Sequence, residues 1–247
     1  MKRAYLVAAI GCMLPAGLAG QTLEQRVAAS PTGTVHLSFA ARPGVCGDGL
    51  HNINSHQENG EWEAECDSQP VRVALRIRNR QVMAVHTYLG GRWRAGSSAN
   101  DLGTVSSPEA AAYFLKLAGQ SGSLRGDPVL PATLADSTTI WPELLTLARN
   151  PQLPEDRRRT AIFWLGQAAG SAPASALDSV VVDDGLGREL RKQAVFALSQ
   201  RPGNDGVPAL IRIARTNRDP ELRRTALFWL GQSEDPRAID LFEDILR

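Results

Sequence analysis

Thr225-Ala226-Leu227-Phe228-Trp229-Leu230-Gly231-Gln232 is the third statement of a phrase that the chain makes twice before, as Thr160-Ala161-Ile162-Phe163-Trp164-Leu165-Gly166-Gln167 and Gln193-Ala194-Val195-Phe196-Ala197-Leu198-Ser199-Gln200. The copies lie 33 and 32 residues apart, each behind a basic pair: Arg158-Arg159, Arg191-Lys192 and Arg223-Arg224. A period of this size is the mark of stacked helical hairpins. One hairpin cannot bury its apolar face alone, so neighbours stack into a quasi-one-dimensional solenoid whose long surface usually receives another macromolecule. Within the phrase Ala161, Ala194 and Ala226 share one slot, and Leu165, Leu198 and Leu230 share another four residues on. Small then large on one helical face lets neighbouring helices approach while filling the gap between them.

Working outward, the phrase helices are expected at 155–168, 188–200 and 221–232. Their partner helices are expected at 142–149, 174–182, 208–215 and 236–246. Three of the four partners open with proline, which fits the first helical turn because its missing N–H would be unpaired there anyway. The aromatic residues Phe163, Trp164, Phe196, Phe228 and Trp229 read as packing between repeats. Gln167, Gln200 and Gln232 recur at helix ends and read as capping or exposed.

The run Asp219-Pro220-Glu221-Leu222-Arg223-Arg224-Thr225-Ala226 with Leu230-Gly231 resembles the second helix of short HEAT-like repeats of the phycobilisome-lyase type. The shared marks are Asp-Pro, an arginine three residues before a core alanine, and Leu-Gly. The resemblance spans about residues 140 to 247; unit one has Pro154 in the Asp slot, and unit two has Gly187 and Ser199 in the Asp and Gly slots. It implies that Asp219 and the arginines Arg158, Arg191 and Arg223 form a ladder bridging adjacent repeats. It also raises an enzymatic alternative, since some members of that family attach bilin chromophores to protein substrates. The tetratricopeptide aromatic and proline pattern does not map here, and the Thr-Pro-Leu-His of ankyrin repeats is missing.

Upstream, the chain changes character. Lys2 and Arg3, the apolar run from Ala4 to Leu14 and the small-residue Gly17-Leu18-Ala19 read as a secretory signal over residues 1–20. Ile10-Gly11-Cys12 resembles a lipoprotein attachment site, but too short an apolar run precedes it. The expected mature protein is therefore exported, periplasmic or extracellular, with no segment inserted in a membrane. Removing Lys2 and Arg3 with the leader turns the formal charge of +1 into about −1, so no global field recruits nucleic acid. Cys46 and Cys66 are then the cysteines that remain. In an oxidising compartment such a pair is most simply a disulfide, and closing its loop would remove chain entropy worth about 3 kcal/mol. The zinc alternative adds His51 and His56 to these cysteines, but their spacing matches no common finger or ribbon.

Residues 21–105 carry strand signals. Val35, Leu37 and Phe39 alternate with His36 and Ser38. Val71, Val73, Leu75 and Ile77 alternate with Arg72, Ala74, Arg76 and Arg78, and Asn79-Arg80 is a two-residue turn into a second strand ending at Leu89. Gly91-Arg92-Trp93 is the candidate that completes the sheet, and residues 100–107 read as a polar link. Ser107-Pro108-Glu109 then opens a helix whose stripe is Ala111, Phe114, Leu115 and Ala118. Residues 121–131 read as a connector.

The chain is thus expected to be α+β, a small disulfide-stapled β module followed by a HEAT-like α-solenoid over 106–247. No Gly-x-Ser-x-Gly, His-Glu-x-x-His or phosphate-cradling loop occurs. The function expected is a non-enzymatic, monomeric scaffold or adaptor for another protein, using no cofactor and no metal. A lyase-like enzyme and an exported metal-binding module are the alternatives. The second basic residue of each pair, Arg159, Lys192 and Arg224, is the candidate contact for the partner, because two adjacent residues cannot share one helical face.

Overall fold

A computed structural model describes residues 20–49, 53–55, 69–120, 122–168 and 173–247. The leader expected over 1–20 therefore lies almost wholly outside the described residues. Among the described residues no helix is long and apolar enough to cross a membrane.

The first part is a mixed four-stranded sheet. Its strands are β1 (Gly33–Phe39), β4 (Val71–Arg78), β5 (Gln81–Leu89) and β6 (Asn100–Thr104), in the order β5-β4-β1-β6. A separate short pair is formed by β2 (Val45–Gly47) and β3 (Ile53–Ser55). The alternation in the sequence is the alternation of burial: Val35, Leu37, Phe39, Val71, Val73, Leu75 and Ile77 point into the core. Asn79 and Arg80 both sit at positive φ (52° and 61°). That is the two-residue hairpin turn whose twist matches the strands, built here without glycine.

Two expectations fail in this part. Gly91-Arg92-Trp93 is not a strand, and residues 100–104, read as a link, are β6, which runs parallel to β1 with an irregularity between His36 and Ser38. Trp93 instead covers the outer face, stacked on His36 at 3.7 Å between ring centres. His36 is thereby buried on the side expected to be solvated, and loss of hydration pushes its pKa down, offset in part by Asp101.

Two helices cover the inner face. α1 (Leu23–Ala29) starts in a capping box between Thr22 and Gln25, and α2 (Ser107–Ala118) starts on the hydroxyl of Ser106, one residue before the expected cap. Ser107 is turned inward and donates to the Ala40 carbonyl at 3.0 Å. The α2 stripe packs on the sheet through Phe114, whose ring lies 6.3 Å from that of Phe39. The segment after α2 is more than a connector. Val85 N–H donates to Arg125 O (2.9 Å) and Arg125 N–H to Met83 O (3.0 Å), which closes the free edge of β5. Gly126, at φ 84°, passes so near the Val85 carbonyl that a β-carbon would stand 2.1 Å from it.

From there the chain is helical. After the short α3 (Leu130–Leu134) come the hairpins α4 (Trp141–Arg149) with α5 (Glu155–Gln167), α6 (Ala174–Val181) with α7 (Arg188–Ser199), and α8 (Val207–Thr216) with α9 (Pro220–Gly231). A final helix, α10 (Pro236–Leu246), packs on α8 and α9. Ala161, Ala194 and Ala226 are fully buried, as are Leu165, Leu198 and Leu230. The repeated slots are therefore core slots. The second helices α5, α7 and α9 pack against one another more closely than the first helices do, so they form the inner row of the stack. Gly166 sets the first of these junctions: a β-carbon there would meet Ala197 Cβ at 2.9 Å.

Candidate functional site

The inner row turns one stripe of each second helix away from the first helices. Positions four apart share a helical face, so each stripe reads cation, phenylalanine, glutamine. The columns are Arg159, Phe163 and Gln167 on α5, Lys192 and Phe196 on α7 with Gln200 as its C-cap, and Arg224 and Phe228 on α9 with Gln232 as its C-cap. The expected burial of all the aromatics between repeats is corrected here. Phe163 and Phe228 are 38% and 58% exposed. What packs between repeats is Trp229, whose ring centre lies 5.0 Å from both Phe196 and Phe228. On α5, Trp164 turns the other way and donates its indole N–H to Asp127 at 2.9 Å, with Phe163 edge-on to it. The outcome is a row of three phenylalanines on adjacent helices, with Phe163 and Phe228 on the open surface and Phe196 half-buried against Trp229 between them.

The candidate contact cations lie beside that row, each bonded to an acid one turn back on its own helix. Arg159 meets Glu155 at 2.7 Å, Lys192 meets Glu189 at 3.5 Å, and Arg224 meets Glu221 at 2.6 Å. All three pairs are solvent-facing, where such a bond contributes about 0 to 1 kcal/mol. The cations are thus oriented but weakly held.

The other member of each basic pair turns inward. Arg158 donates to the Ala148 carbonyl at 3.0 Å and Arg191 to the Val181 carbonyl at 2.7 Å, while Arg223 donates to the Asn217 carbonyl at 2.7 Å. Each contact satisfies a carbonyl left over at the end of the first helix of the same unit. These arginines close their own hairpins. Asp219 does bridge repeats, but to Arg188, at 2.8 Å, while also accepting from Glu221 N–H as the cap of α9. The guanidinium of Arg188 holds the Asp219 carboxyl below its usual range. Further bridges run along the first helices: Arg149 to Asp183, Arg212 to Asp178 and Arg215 to Asp244. Arg188 precedes the repeated phrase and has no counterpart in the other units, which is why the repeat alone did not reveal it.

In the β module, Cys46 sits on β2, while Cys66, His51 and His56 lie outside the described residues. No group of metal-ligating side chains is found among the described residues. Arg72 donates to Gly90 O at 2.8 Å and braces the turn after β5; Arg76, Arg78 and Arg80 are exposed.

Residues 184–247, covering α7 to α10, match the family model of HEAT repeats. The solenoid is HEAT-like. No curated protein and no solved structure matches the chain. HEAT repeats commonly hold other proteins, and in this chain the second helices supply the surface that is both repeated and apolar.

Proposed function

We propose that this protein is an exported, non-catalytic scaffold or adaptor that holds a partner protein against the face made by α5, α7 and α9. The observation that carries the reading is the pair of exposed rings Phe163 and Phe228, with Phe196 half-buried against Trp229 on the helix between them. Burying an aromatic side chain is worth about 1.5 to 3 kcal/mol, so a stack that leaves these rings at the surface in register keeps them available to a partner. The match to HEAT repeats supports the same role. The phycobilisome-lyase subtype rests on the resemblance over about residues 140 to 247, carried most fully by residues 219–231.

Export is supported by the basic, apolar and small-residue run at the start of the chain, and the location by the use of cysteine. A disulfide between Cys46 and Cys66 fits an exported chain, these being the cysteines that remain once the leader is gone. Mass spectrometry of the non-reduced secreted protein checks both proposals together. Two alkylatable thiols, or a retained leader, would overturn them.

The binding face is tested by placing a photo-crosslinking amino acid at Phe163 or Phe228, and as a control at exposed Val182 on the first-helix side. Crosslinks to one protein from the first two positions and none from Val182 are expected. Equal yield from Val182 would move the site off this face.

A further inference from the structure

We infer that the segment seated on this face is an acidic polyproline II stretch of the partner, carrying an apolar side chain at every third residue. The inference rests on the reading above that the second-helix face binds protein, and it names what kind of chain fits there. Three observations carry it.

The first is spacing. Helices packed side by side lie about 8 to 10 Å apart, so a ligand crossing α5, α7 and α9 meets one phenylalanine per step of that length. Polyproline II has three residues per turn and rises about 3.1 Å per residue, so positions three apart point the same way about 9 Å apart. A β-strand misses this match, because its third residue points to the opposite side.

The second is the glutamine row. Polyproline II makes no internal hydrogen bonds, so its carbonyls need donors. Gln167, Gln200 and Gln232 are exposed and place one primary amide at the C-terminal end of each second helix, one turn beyond the phenylalanine. Gln200 has only a 3.2 Å contact to Ser199 Oγ to give up. An α-helix laid across the same face could match the spacing at seven residues, but its carbonyls are already bonded and the glutamines would be idle.

The third is charge. The row Arg159, Lys192 and Arg224 runs along the opposite side of the phenylalanines, and the acids that hold it lie one turn farther back, away from the aromatic row. A guanidinium has five N–H donors, so Arg159 and Arg224 can each take a second carboxylate without releasing the first. The rim therefore favours acid on the occupant.

The test uses the full mature chain and three labelled peptides, with binding read by fluorescence anisotropy. They are (Leu-Pro-Asp)4, its charge reversal (Leu-Pro-Lys)4, and (Leu-Asp-Pro-Pro)3, which keeps the length but shifts the apolar period to four. The first should bind, and the other two should bind at least about tenfold more weakly. Phe196→Ala should weaken the first peptide by about tenfold or more, and the triple change Arg159→Glu, Lys192→Glu, Arg224→Glu should remove the preference over the lysine peptide. A fourth peptide, the proline-free (Leu-Ala-Asp)4, overturns the inference if it binds as well as (Leu-Pro-Asp)4, and so does equal binding of the two periods. If no peptide binds while the crosslinks from Phe163 and Phe228 still find a partner, the inference fails and the face stands. If the crosslinks fail as well, both fall.

Discussion

The β module and the solenoid solve the same burial problem by different routes. In the sheet each core residue occurs once, and the free edge of β5 is closed by a segment beyond α2, far along the chain. In the solenoid the same slot is filled three times, and the close packing among the described residues runs between adjacent hairpins. The contrast teaches where a lesion stays. In a nearest-neighbour stack, damage is shared with adjacent units; in the module, a single position ties together parts distant in sequence.

The sharpest way to break that comparison is Leu198→Ala, in the middle unit. It should cost about 2 to 5 kcal/mol, and hydrogen exchange should show lost protection in α5, α7 and α9 while β1 and β4 keep theirs. Loss of protection throughout the sheet would mean that the two parts unfold as one unit. Next in size is Gly166→Val, whose side chain must enter the space held by Ala197. Overpacking of this kind costs about 1 to 3 kcal/mol, and denaturant melts should show it without any change in the sheet. In the module, Arg80→Gly should raise stability by about 1 kcal/mol, because the turn holds this residue at positive φ, where only glycine is unstrained. A drop in stability would show that the Arg80 side chain contributes more than its backbone strain takes away.

The smallest effect separates the two parts by pH. Asp219 and Asp235 cap α9 and α10, and both carboxyls are held low by arginine, Asp219 by Arg188 and Asp235, at about 2, by Arg237. A carboxyl with a lowered folded pKa stabilises the fold above its ordinary range, and that contribution is lost as pH falls through the folded value. Acid titration by circular dichroism should therefore erode the last helices as pH drops below about 4 toward 2. Asp235→Asn should flatten that slope.

Repetition explains what could be read from the sequence. The helix pairs of the solenoid follow from slots seen three times, and an error in one copy is corrected by the other two. Phe163 and Phe228 were misplaced because the phrase is apolar nearly all round. Composition places such a residue in the core, and only the packing of α5, α7 and α9 shows which stripe faces out. β6 was missed because Asn100-Asp101-Leu102-Gly103-Thr104 is an edge strand with no buried residue, and so has no alternation to read. The helix α1 did leave a trace, the Thr22 and Gln25 capping box, but its seven residues are too few for a clear period. Among the site residues, the inward turn of Arg158, Arg191 and Arg223 agrees with their constant offset from a buried alanine. The bridge from Asp219 to Arg188 depends on one unit only and needed three dimensions.

The junction at Gly166 also bears on how such an array can change by duplication. Between units one and two the helices close on a glycine against Ala197; between units two and three Trp229 fills the gap beside Phe196. The joints are keyed to their neighbours, like a chain whose links differ in gauge. Copying one unit into another position would set an alanine where a tryptophan is needed, or a bulky ring against a closed seam. Lengthening the chain by whole-unit duplication therefore requires a compensating change at the seam, and the order of the units is itself inherited information.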